Sequence, residues 1–463
     1  MSKKIIALCL ALVMVLSMTA CSAPAQTAEP EQTAEPATKA STAETPTADA
    51  RPVIGSAIQY DPNVPINDGK DIEVELWFWS GAANLFQSLA DQYTAIHPNV
   101  TITLVENPWD DYFTKLPLAL QGNDGPAIFN VHNSKHDLLI DYMAPYDIPV
   151  EDMEADFVGV SGHLVDGKVY YTDYGLMTAT MYYNTDMWAA AGLTEADIPT
   201  TWDEFREVAK KLTIRDENGD LVQAGFSYNG GIQGDVLGMQ YQYGQNLFNE
   251  DGTGNIAEND VLKKCVEIYA QMVADGTLVE VTDWDQYIAS MNDGKAAGVI
   301  NGCWIMSSVQ AAEDQSGKWA IVDMPKLDGI DGATNYANCG GASWAVSSNC
   351  KNTALAFDFL KSTFGSSVEL YDDLLPNAGA ISSYLPAAES DVYNQPSEFY
   401  GGQTVYKDIV EFAGKVPAFD CGAYYSDVRS ALTDAVTNIV QNNADIDSEM
   451  QNAQDTVEFN IAG

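Results

Sequence analysis

Basic residues are scarce in this chain, and their scarcity excludes some classes of partner. Only 22 residues are Lys or Arg, against 66 Asp or Glu, so the formal net charge is −44. A surface this acidic repels phosphate backbones and anionic lipid headgroups, which argues against a nucleic-acid-binding protein. The excess of carboxylates does not identify a ligand, because charged side chains are mostly exposed and solvated.

Cysteines are also few, and their spacing shows no pairing pattern. Two of the seven, Cys9 and Cys21, lie close to the N-terminus. The other five are Cys265, Cys303, Cys339, Cys350 and Cys421. None belongs to a CxxC motif and five is an odd number, so the sequence indicates neither a disulfide framework nor a zinc cluster. Whether any two of these thiols pair stays open.

The motifs of common enzyme classes are missing as well. There is no HExxH and no P-loop. The stretch "GASWA" at 341–345 approaches the nucleophile motif G-x-S-x-G, but Ala345 replaces the closing glycine and the residues after Ser343 read as a strand. His132 and His136 are four apart without an acidic partner, so we predict no metal site. We also predict no catalytic residue and no cofactor, although a secreted glycoside-acting enzyme stays as an alternative among so many carboxylates.

The first twenty residues have the pattern of an export signal. Lys3 and Lys4 give a positive start, and residues 5–16 are apolar but too few to span a bilayer. "MTAC" follows, with Ala20 directly before Cys21, and it resembles the lipobox of bacterial lipoproteins. We therefore expect a signal peptide at 1–20 and a lipid-modified Cys21.

The next segment lacks large apolar residues. Residues 22–50 are almost all Ala, Thr, Pro, Glu, Gln and Ser, which cannot bury enough surface to offset chain entropy. We expect a disordered tether over 21–69; about 30 flexible residues would give it a reach of roughly 30 Å. The remaining chain of roughly 400 residues is long enough for two lobes with full cores.

Strands and helices alternate at the start of the body. "IEVELWFWSG" from residue 72, "VTITLVE" from 100 and "PAIFNVHN" from 126 read as strands, the first with two largely apolar faces. Leu85, Leu89 and Tyr93 recur at helical spacing between the first two, and "YFTKLPLALQGNDG" precedes the third. This order predicts a parallel α/β sheet.

A long β segment and several helices follow. Residues 167–193 carry the β segment, and Thr201 and Glu204 form a capping box at the start of an amphipathic helix. Trp188 and Trp202 are predicted to be core residues. The last hundred residues are mainly helical, with one apolar face: Val428, Leu432, Ala435, Val436 and Ile439.

Three segments behind the lipobox carry a resemblance to a known family. They are "MYYNTDMWAAAGLTEADIPTTWDEFREVAKKLT", "MNDGKAAGVINGCW" and "CGGASWAVSSNCKNTALAFDFLKS". In this order they resemble the family 1 extracellular solute-binding proteins, the sugar-capturing lipoproteins of ATP-driven importers, which include the maltose-binding protein. The similarity extends from residue 70 to the end of the chain.

The resemblance implies an α/β fold of two lobes, the class II periplasmic-binding-protein fold, in which each lobe is a mostly parallel sheet flanked by helices and the ligand cleft lies between the lobes. It also implies a monomeric, non-catalytic receptor, attached through Cys21 to the outer face of the bacterial membrane, that delivers a carbohydrate to ABC transporter permease subunits. The N-terminal lobe would comprise 70–176 with 343–402 and the C-terminal lobe 177–342 with 403–463, with crossings near 174–180, 339–343 and 401–410.

The resemblance also implies where the ligand binds. Trp304 occupies the family's "NG-x-W" position, where the indole stacks on an apolar sugar face, and Gly302 would let the backbone approach the ligand. Ligands of open α/β sheets bind beyond the carboxyl ends of the strands. The other candidate ligand-binding residues follow strands, lie in loops or lie on the crossing segments: Trp79, Ser80, Trp109, Asn130, His132, Tyr174, Asn229, Trp284, Gly341 and Tyr424.

Departures from the family pattern restrict the ligand. Maltodextrin binders carry an acidic residue where this chain has Met177, and an Asp-Arg pair where it reads "NVHNSK". We therefore expect a sugar other than maltose. Polyamine or ferric-ion binding within the same fold stays as an alternative, the latter through the adjacent pairs Tyr182-Tyr183 or Tyr424-Tyr425.

Overall fold

The computed structural model describes most of the chain beyond residue 50. The described residues are 51–79, 83–122, 125–158, 160, 164–229, 239, 247–249, 252–281, 284–378, 381–417 and 424–462. Residues 51–463 form one compact unit. The predicted signal peptide, Cys21 and the tether up to residue 50 lie outside the described residues. Within those ranges, no helix has the length and apolar character needed to cross a membrane.

Strands and helices alternate along the described chain, as the sequence predicts. The strands are Ile54–Gly55 (β1), Gln59–Tyr60 (β2), Ile72–Trp79 (β3), Val100–Asn107 (β4), Ile128–His132 (β5), Tyr171–Asn184 (β6), Ile214–Arg215 (β7), Leu221–Gln223 (β8), Phe226–Asn229 (β9), Leu278–Val281 (β10), Gly298–Gly302 (β11), Trp319–Val322 (β12), Asn338–Val346 (β13) and Ile381–Ser382 (β14). The helices are Ala83–Ile96 (α1), Trp109–Gln121 (α2), His136–Leu139 (α3), Val150–Asp156 (α4), Thr185–Ala190 (α5), Trp202–Leu212 (α6), Asp260–Ala274 (α7), Trp284–Asn292 (α8), Met306–Gln310 (α9), Thr353–Ser362 (α10), Val368–Ala378 (α11), Val405–Ala413 (α12), Tyr425–Asn442 (α13) and Ile446–Ala462 (α14).

One mixed sheet runs through both lobes. Its strand order is β10-β9-β11-β6-β13-β5-β3-β4, and β12 and β14 also pair with β6. In the first lobe β3 is parallel to β4 and β5, and in the second lobe β9 is parallel to β10 and β11. The connecting strands β6 and β13 are antiparallel to their neighbours. The two-lobed α/β fold is therefore confirmed, with the parallel strands in the outer part of each lobe.

Strand β6 joins the lobes. It pairs with β13 up to Thr178 and with β11 from Ala179 onward, so it changes partner inside the predicted crossing. Side chains alternate between faces with a period of two. Met181 and Tyr183 accordingly enter the core of the second lobe, whereas Tyr182 enters the core on the opposite face. Burial on both faces fits the large apolar side chains at the successive positions Met181, Tyr182 and Tyr183.

The hydrophobic cores follow the sheet. One core belongs to the second lobe and includes Trp188 and Trp202, at 3% and 1% exposure, as predicted. A smaller one belongs to the first lobe and contains Tyr112. The largest runs along the opposite face and combines residues of both lobes, such as Leu76 and Val299. The lobes therefore share packed side chains on one face of the sheet.

Two helices confirm the local sequence signals. At the start of α6, the Glu204 backbone N–H donates to Thr201 Oγ1, and Glu204 Oε2 accepts from the Thr201 N–H, each at 3.3 Å. The apolar stripe of this helix is buried, as is the face of α13 that includes Val428 and Leu432. Local capping and periodicity were therefore sufficient to predict these helices.

The predicted end of the tether at residue 69 is wrong. Residues 51–69 pack on the first lobe, with Ile58 and Tyr60 only 3% and 2% exposed. Backbone N–H groups of Ala57 and Ile58 donate to the buried carboxylate of Asp156, and the Tyr60 hydroxyl lies 2.6 Å from His97 Nε2. The same segment contains apolar residues that stay exposed, Val53, Ile54 and Val64, so its composition did not indicate which side chains pack. The ordered body begins by residue 51.

The third predicted crossing contains no strand. Residues 401 and 402 form a turn, and α12 begins at Val405. Val405 and Ile409 are buried in the core that combines both lobes. A short amphipathic helix thus covers the connecting strands at this point.

Candidate functional site

Trp304 lies directly beyond the end of a buried strand. Strand β11 is buried along its whole length, and Cys303–Ile305 then form one 3₁₀ turn that carries Trp304 half-buried. The indole folds back over the strand end, so a Cβ at Gly302 would overlap Trp304 Nε1 and lie 2.9 Å from the Cys339 carbonyl oxygen. Gly302 is thus needed to accommodate this tryptophan, and its predicted role in letting the backbone approach a ligand stays a prediction.

A second tryptophan stacks on the first. The ring centroids of Trp284 and Trp304 are 5.8 Å apart with an interplanar angle of 30°. Trp304 Nε1–H donates to the Cys339 carbonyl at 3.0 Å, which fixes the ring against strand β13. Trp284 remains 42% exposed, an unusual state for an indole. The pair presents a flat aromatic surface suited to stacking on an apolar ligand face.

His132 ends strand β5 and approaches the same place. Its Nδ1 lies 2.8 Å from Ser134 Oγ and 3.3 Å from the Ser134 backbone nitrogen, so the turn after the strand orients the ring. Burial, together with the positive charges of Arg429 and Lys135, lowers the pKa of His132 to about 3. The imidazole is therefore neutral at physiological pH.

Gly340 brings these groups together. Its φ is +105°, a backbone conformation that favours glycine, and a Cβ there would lie 3.6 Å from His132 Nε2 and 3.9 Å from Trp304 Nε1. Trp79, at the end of β3, lies edge-on to His132 with ring centroids 6.3 Å apart. We call the set Trp284, Trp304, Gly340, His132 and Trp79 the interlobe strip. It extends from one lobe to the other across β13.

Gly341 and Tyr424 border the interlobe strip from different elements of the fold. A Cβ at Gly341 would lie 3.1 Å from Asn133 Nδ2, in the turn that follows His132. Tyr424 immediately precedes α13 and is 39% exposed. Arg429, one turn into the same helix, is the first of the two cations that act on His132. Gly341 is therefore adjacent to the strip, and Tyr424 starts the helix that faces it.

Two predicted ligand residues lie in the interior instead. Asn130 is 1% exposed and donates from Nδ2 to the Ser343 carbonyl at 3.2 Å. Tyr174 is 7% exposed, and its ring lies 5.3 Å from that of Trp344 and 5.4 Å from that of Phe364. Burial raises the pKa of Tyr174 above its usual range. The structure thus places both inside the first lobe and corrects their assignment to the ligand surface.

Three of the predicted ligand-binding residues have side chains that the structure does not describe. Ser80 is among the undescribed residues, and nothing is described of the side chains of Trp109 and Asn229. The backbone places Trp109 at the first position of α2 and Asn229 at the last position of β9. All three are therefore still predictions.

Sequence reasoning missed the two cations near His132. Lys135 belongs to the turn after β5 and Arg429 to α13, in opposite lobes. No pattern distinguishes either from a solvent-facing residue, because their proximity depends on the fold. Two positive charges at this point disfavour a polycationic ligand such as a polyamine.

The hydrogen bonds of Ser343 run in directions that do not suit nucleophilic catalysis. It is fully buried in β13, and its hydroxyl donates to the Asp173 carboxylate. A hydroxyl has one hydrogen, so the His136 Nε2 that lies 2.8 Å from Ser343 Oγ must be the donor in that contact. A serine nucleophile requires the reverse, a histidine that accepts the serine proton, with the acid on the histidine.

The tyrosine pairs do not form ferric sites. Tyr182 and Tyr183 are buried on opposite faces of β6, as period-two alternation requires. Tyr425 is buried in the second lobe, whereas Tyr424 is exposed. Among the described residues, no group of three or more His, Cys, Asp or Glu side chains is placed to hold a metal ion.

The family model that matches this chain and the similar proteins point to the same family. The model of the bacterial extracellular solute-binding proteins matches residues 80–364. A lactose-binding protein of Rhizobium radiobacter is 31% identical over 376 residues, which cover 78% of this chain and 86% of the relative. An arabinooligosaccharide-binding protein of Bacillus subtilis is 27% identical over 65% of this chain and 71% of the relative.

Solved structures support the fold. The maltose/maltodextrin-binding domain of Bdellovibrio bacteriovorus, bound to maltotriose, superposes with a TM-score of 0.70 at 18% identity. The match covers 85% of this chain and all of that domain.

Proposed function

The chain belongs to the bacterial extracellular solute-binding protein family, a family of binding proteins and not of enzymes, and we propose that it captures a sugar or oligosaccharide between its two lobes. The ligand is then delivered to ABC transporter permease subunits. The protein acts as a monomer, and lipid on Cys21 holds it at the outer face of the membrane. The predicted lobe boundaries at 176/177, 342/343 and 402/403 belong to the same proposal.

The interlobe strip is the observation that supports this proposal. A pyranose covering about 100 Å² of an indole gains about 2.5 kcal/mol, at about 25 cal/mol per Å². Two such contacts supply about 5 kcal/mol of the roughly 8 kcal/mol that micromolar binding requires. Neutral His132 and nearby backbone groups supply directional hydrogen bonds for the remainder.

The proposal gives each of the other candidate residues its own place relative to the sugar. Trp79 and Trp304 contact the sugar from different lobes, with Trp284 behind Trp304, and Gly341 and Tyr424 border the site. Ser80, Trp109 and Asn229 stay as candidates at its rim. Closure is a population shift, which requires the ligand to bind the closed form more tightly than the open one.

The ligand we test first is lactose, followed by arabino-oligosaccharides, because the similar proteins that bind them are the best guide to chemistry. Maltotriose is the comparison, since the acidic position of maltodextrin binders is Met177 here. We expect a sugar other than maltose or maltotriose to bind most tightly.

A thermal-shift screen tests the proposal. Lactose, arabino-oligosaccharides, maltotriose, spermidine and ferric citrate are added to the folded chain, and a ligand at 100 times its Kd adds about 2.7 kcal/mol of apparent stability. We expect a shift with at least one neutral saccharide. A shift with spermidine or ferric citrate alone, or turnover of a glycoside, would contradict the proposal.

A further inference from the structure

The polar side chains of Ser343, Asp173 and His136 come from separate segments and meet in one hydrogen-bonded group. Ser343 lies in β13 and donates to the carboxylate of Asp173 in β6, and the His136 Nε2 at the start of α3 lies 2.8 Å from the same hydroxyl. The His136 ring also stacks on Tyr171 of β6, with centroids 3.6 Å apart and an angle of 23°. One hydroxyl thus joins both connecting strands to the segment that follows β5.

The donor directions make this a satisfied network. Ser343 gives its hydrogen to Asp173, so its oxygen accepts from His136, and Ser343 is fully buried while His136 is 8% exposed. The hydroxyl of Ser383, directly after β14, also donates to the backbone carbonyl of Asp173. Buried polar networks with every member paired hold one geometry, because breaking any bond leaves an unpaired group.

The network lies at one end of the glycine pair in β13. The pairing of β13 with β6 is irregular between Asn338 and Gly341 and again between Ala342 and Ser343. At the other end of the pair, the Cys339 carbonyl accepts the Trp304 N–H. Gly340 and Gly341 therefore lie between a contact to the second lobe and a contact to the first. Glycine has the greatest backbone freedom, so motion between these contacts is easiest here.

The network also reaches the interlobe strip. Strand β5 ends at His132, the turn Asn133–Lys135 follows, and His136 comes next. The same short turn contains Ser134, whose N–H fixes the orientation of the His132 ring. Holding His136 in place therefore holds the turn and, through it, the imidazole.

We propose that Ser343, Asp173 and His136 are positioning residues for ligand binding, which fix the turn bearing His132 to the connecting strands and leave Gly340–Gly341 to take up motion between the lobes. The inference rests on the proposed function, because it assigns a purpose to the orientation of His132. None of the three touches the ligand. A loosened turn would have to be ordered when the ligand binds, which lowers affinity.

The test combines an NMR spectrum of the ligand-free protein with a sugar titration. The full chain, which has four histidines, is labelled with ¹⁵N-histidine, and a His132→Gln variant assigns the His132 ring signal. In Ser343→Ala we expect the His132 signal to shift or broaden and the Kd for lactose, or for the sugar selected by the screen, to rise about tenfold. Ser343→Cys keeps the volume and weakens both bonds, and replaces Ser343→Ala if that variant does not fold.

A second network variant and one control complete the test. Asp173→Ala removes the carboxylate that accepts from Ser343, so its His132 signal and Kd should change in the same direction as in Ser343→Ala. Ser362→Ala removes a buried hydroxyl that bonds only a helix carbonyl in α10, at 2.8 Å, and should leave His132 unchanged. An unchanged His132 signal in folded Ser343→Ala, or an equal change in Ser362→Ala, overturns the inference. If wild type binds no sugar, the proposed function is overturned. The ligand-free NMR spectrum then still decides whether Ser343 positions the His132 ring.

Discussion

Two groups of aromatic rings in this protein have similar spacing and opposite exposure. In the first lobe, Trp344 lies 4.9 Å from both Phe86 and Phe364, with 1% of its surface exposed. In the interlobe strip, Trp284 and Trp304 lie 5.8 Å apart, and Trp284 is 42% exposed. Trp344 sits inside β13, where neighbouring elements cover every face of the ring. Trp304 lies two residues beyond the end of β11, where the sheet no longer covers it. Position relative to the strand end, and not residue type, separates a core ring from a candidate ligand platform.

The largest expected effect is on the core side of this comparison. Trp344→Ala should lower the free energy of unfolding by about 3–5 kcal/mol, because it leaves a cavity among packed rings. Urea denaturation measures this loss. The sugar affinity of the folded fraction should stay close to wild type, and a loss below about 1 kcal/mol would mean that the two ring groups are not energetically distinct.

At the interlobe strip we expect a large loss of sugar affinity and only a small loss of stability. Trp304→Ala removes one stacking surface of about 2.5 kcal/mol, so the Kd for the bound sugar should rise about 70-fold. Unfolding should change by about 1 kcal/mol, since the ring is only half-buried. Isothermal titration and urea denaturation of the same variant separate the two effects. Unchanged affinity with a large loss of stability would make Trp304 a core residue.

A smaller effect is expected from Gly302→Ala. The new Cβ would overlap the indole nitrogen of Trp304 and force the ring away from the Cys339 carbonyl. We expect about a tenfold rise in Kd, measured with the same sugar, because the platform is displaced but retained. Gly414→Ala is the matched control, since a Cβ there would lie 3.7 Å from its nearest neighbours. Equal effects of the two substitutions would remove the role assigned to Gly302.

The smallest expected effect concerns pH. His132, with its pKa lowered to about 3, stays neutral, so sugar affinity measured from pH 5 to pH 8 should show no transition near 6.5. Its contribution to stability has a definite sign: the folded pKa lies below the unfolded value, so the contribution is complete above about pH 6.5 and is lost as pH falls toward 3. Acid unfolding of His132→Gln should accordingly begin at lower pH than in wild type. A binding transition near pH 6.5 that His132→Gln abolishes would show that His132 titrates normally.

Much of the fold could be predicted because its signals are local. The alternation of strands and helices, the capping box at Thr201 and Glu204, and the buried positions of Trp188 and Trp202 all follow from short-range pattern. Asn130 could not be placed correctly by the same means. It precedes the strand end by two residues, and β13 and Tyr112 cover it there. Depth within a sheet depends on which strand becomes the neighbour, and that information is not local.

The sequence by itself determined the alternation of strands and helices and the presence of an aromatic residue beyond strand β11, because hydrophobic period and helix capping act over a few residues. The two lobes were implied by the resemblance to the solute-binding family. Only the tertiary structure decided that Trp304 leans on its own Gly302, that burial, with Arg429 and Lys135 from opposite lobes, keeps His132 neutral, and that residues 51–69 pack on the body. Each of these depends on groups far apart in the chain, brought together when the sheet and its cores assemble.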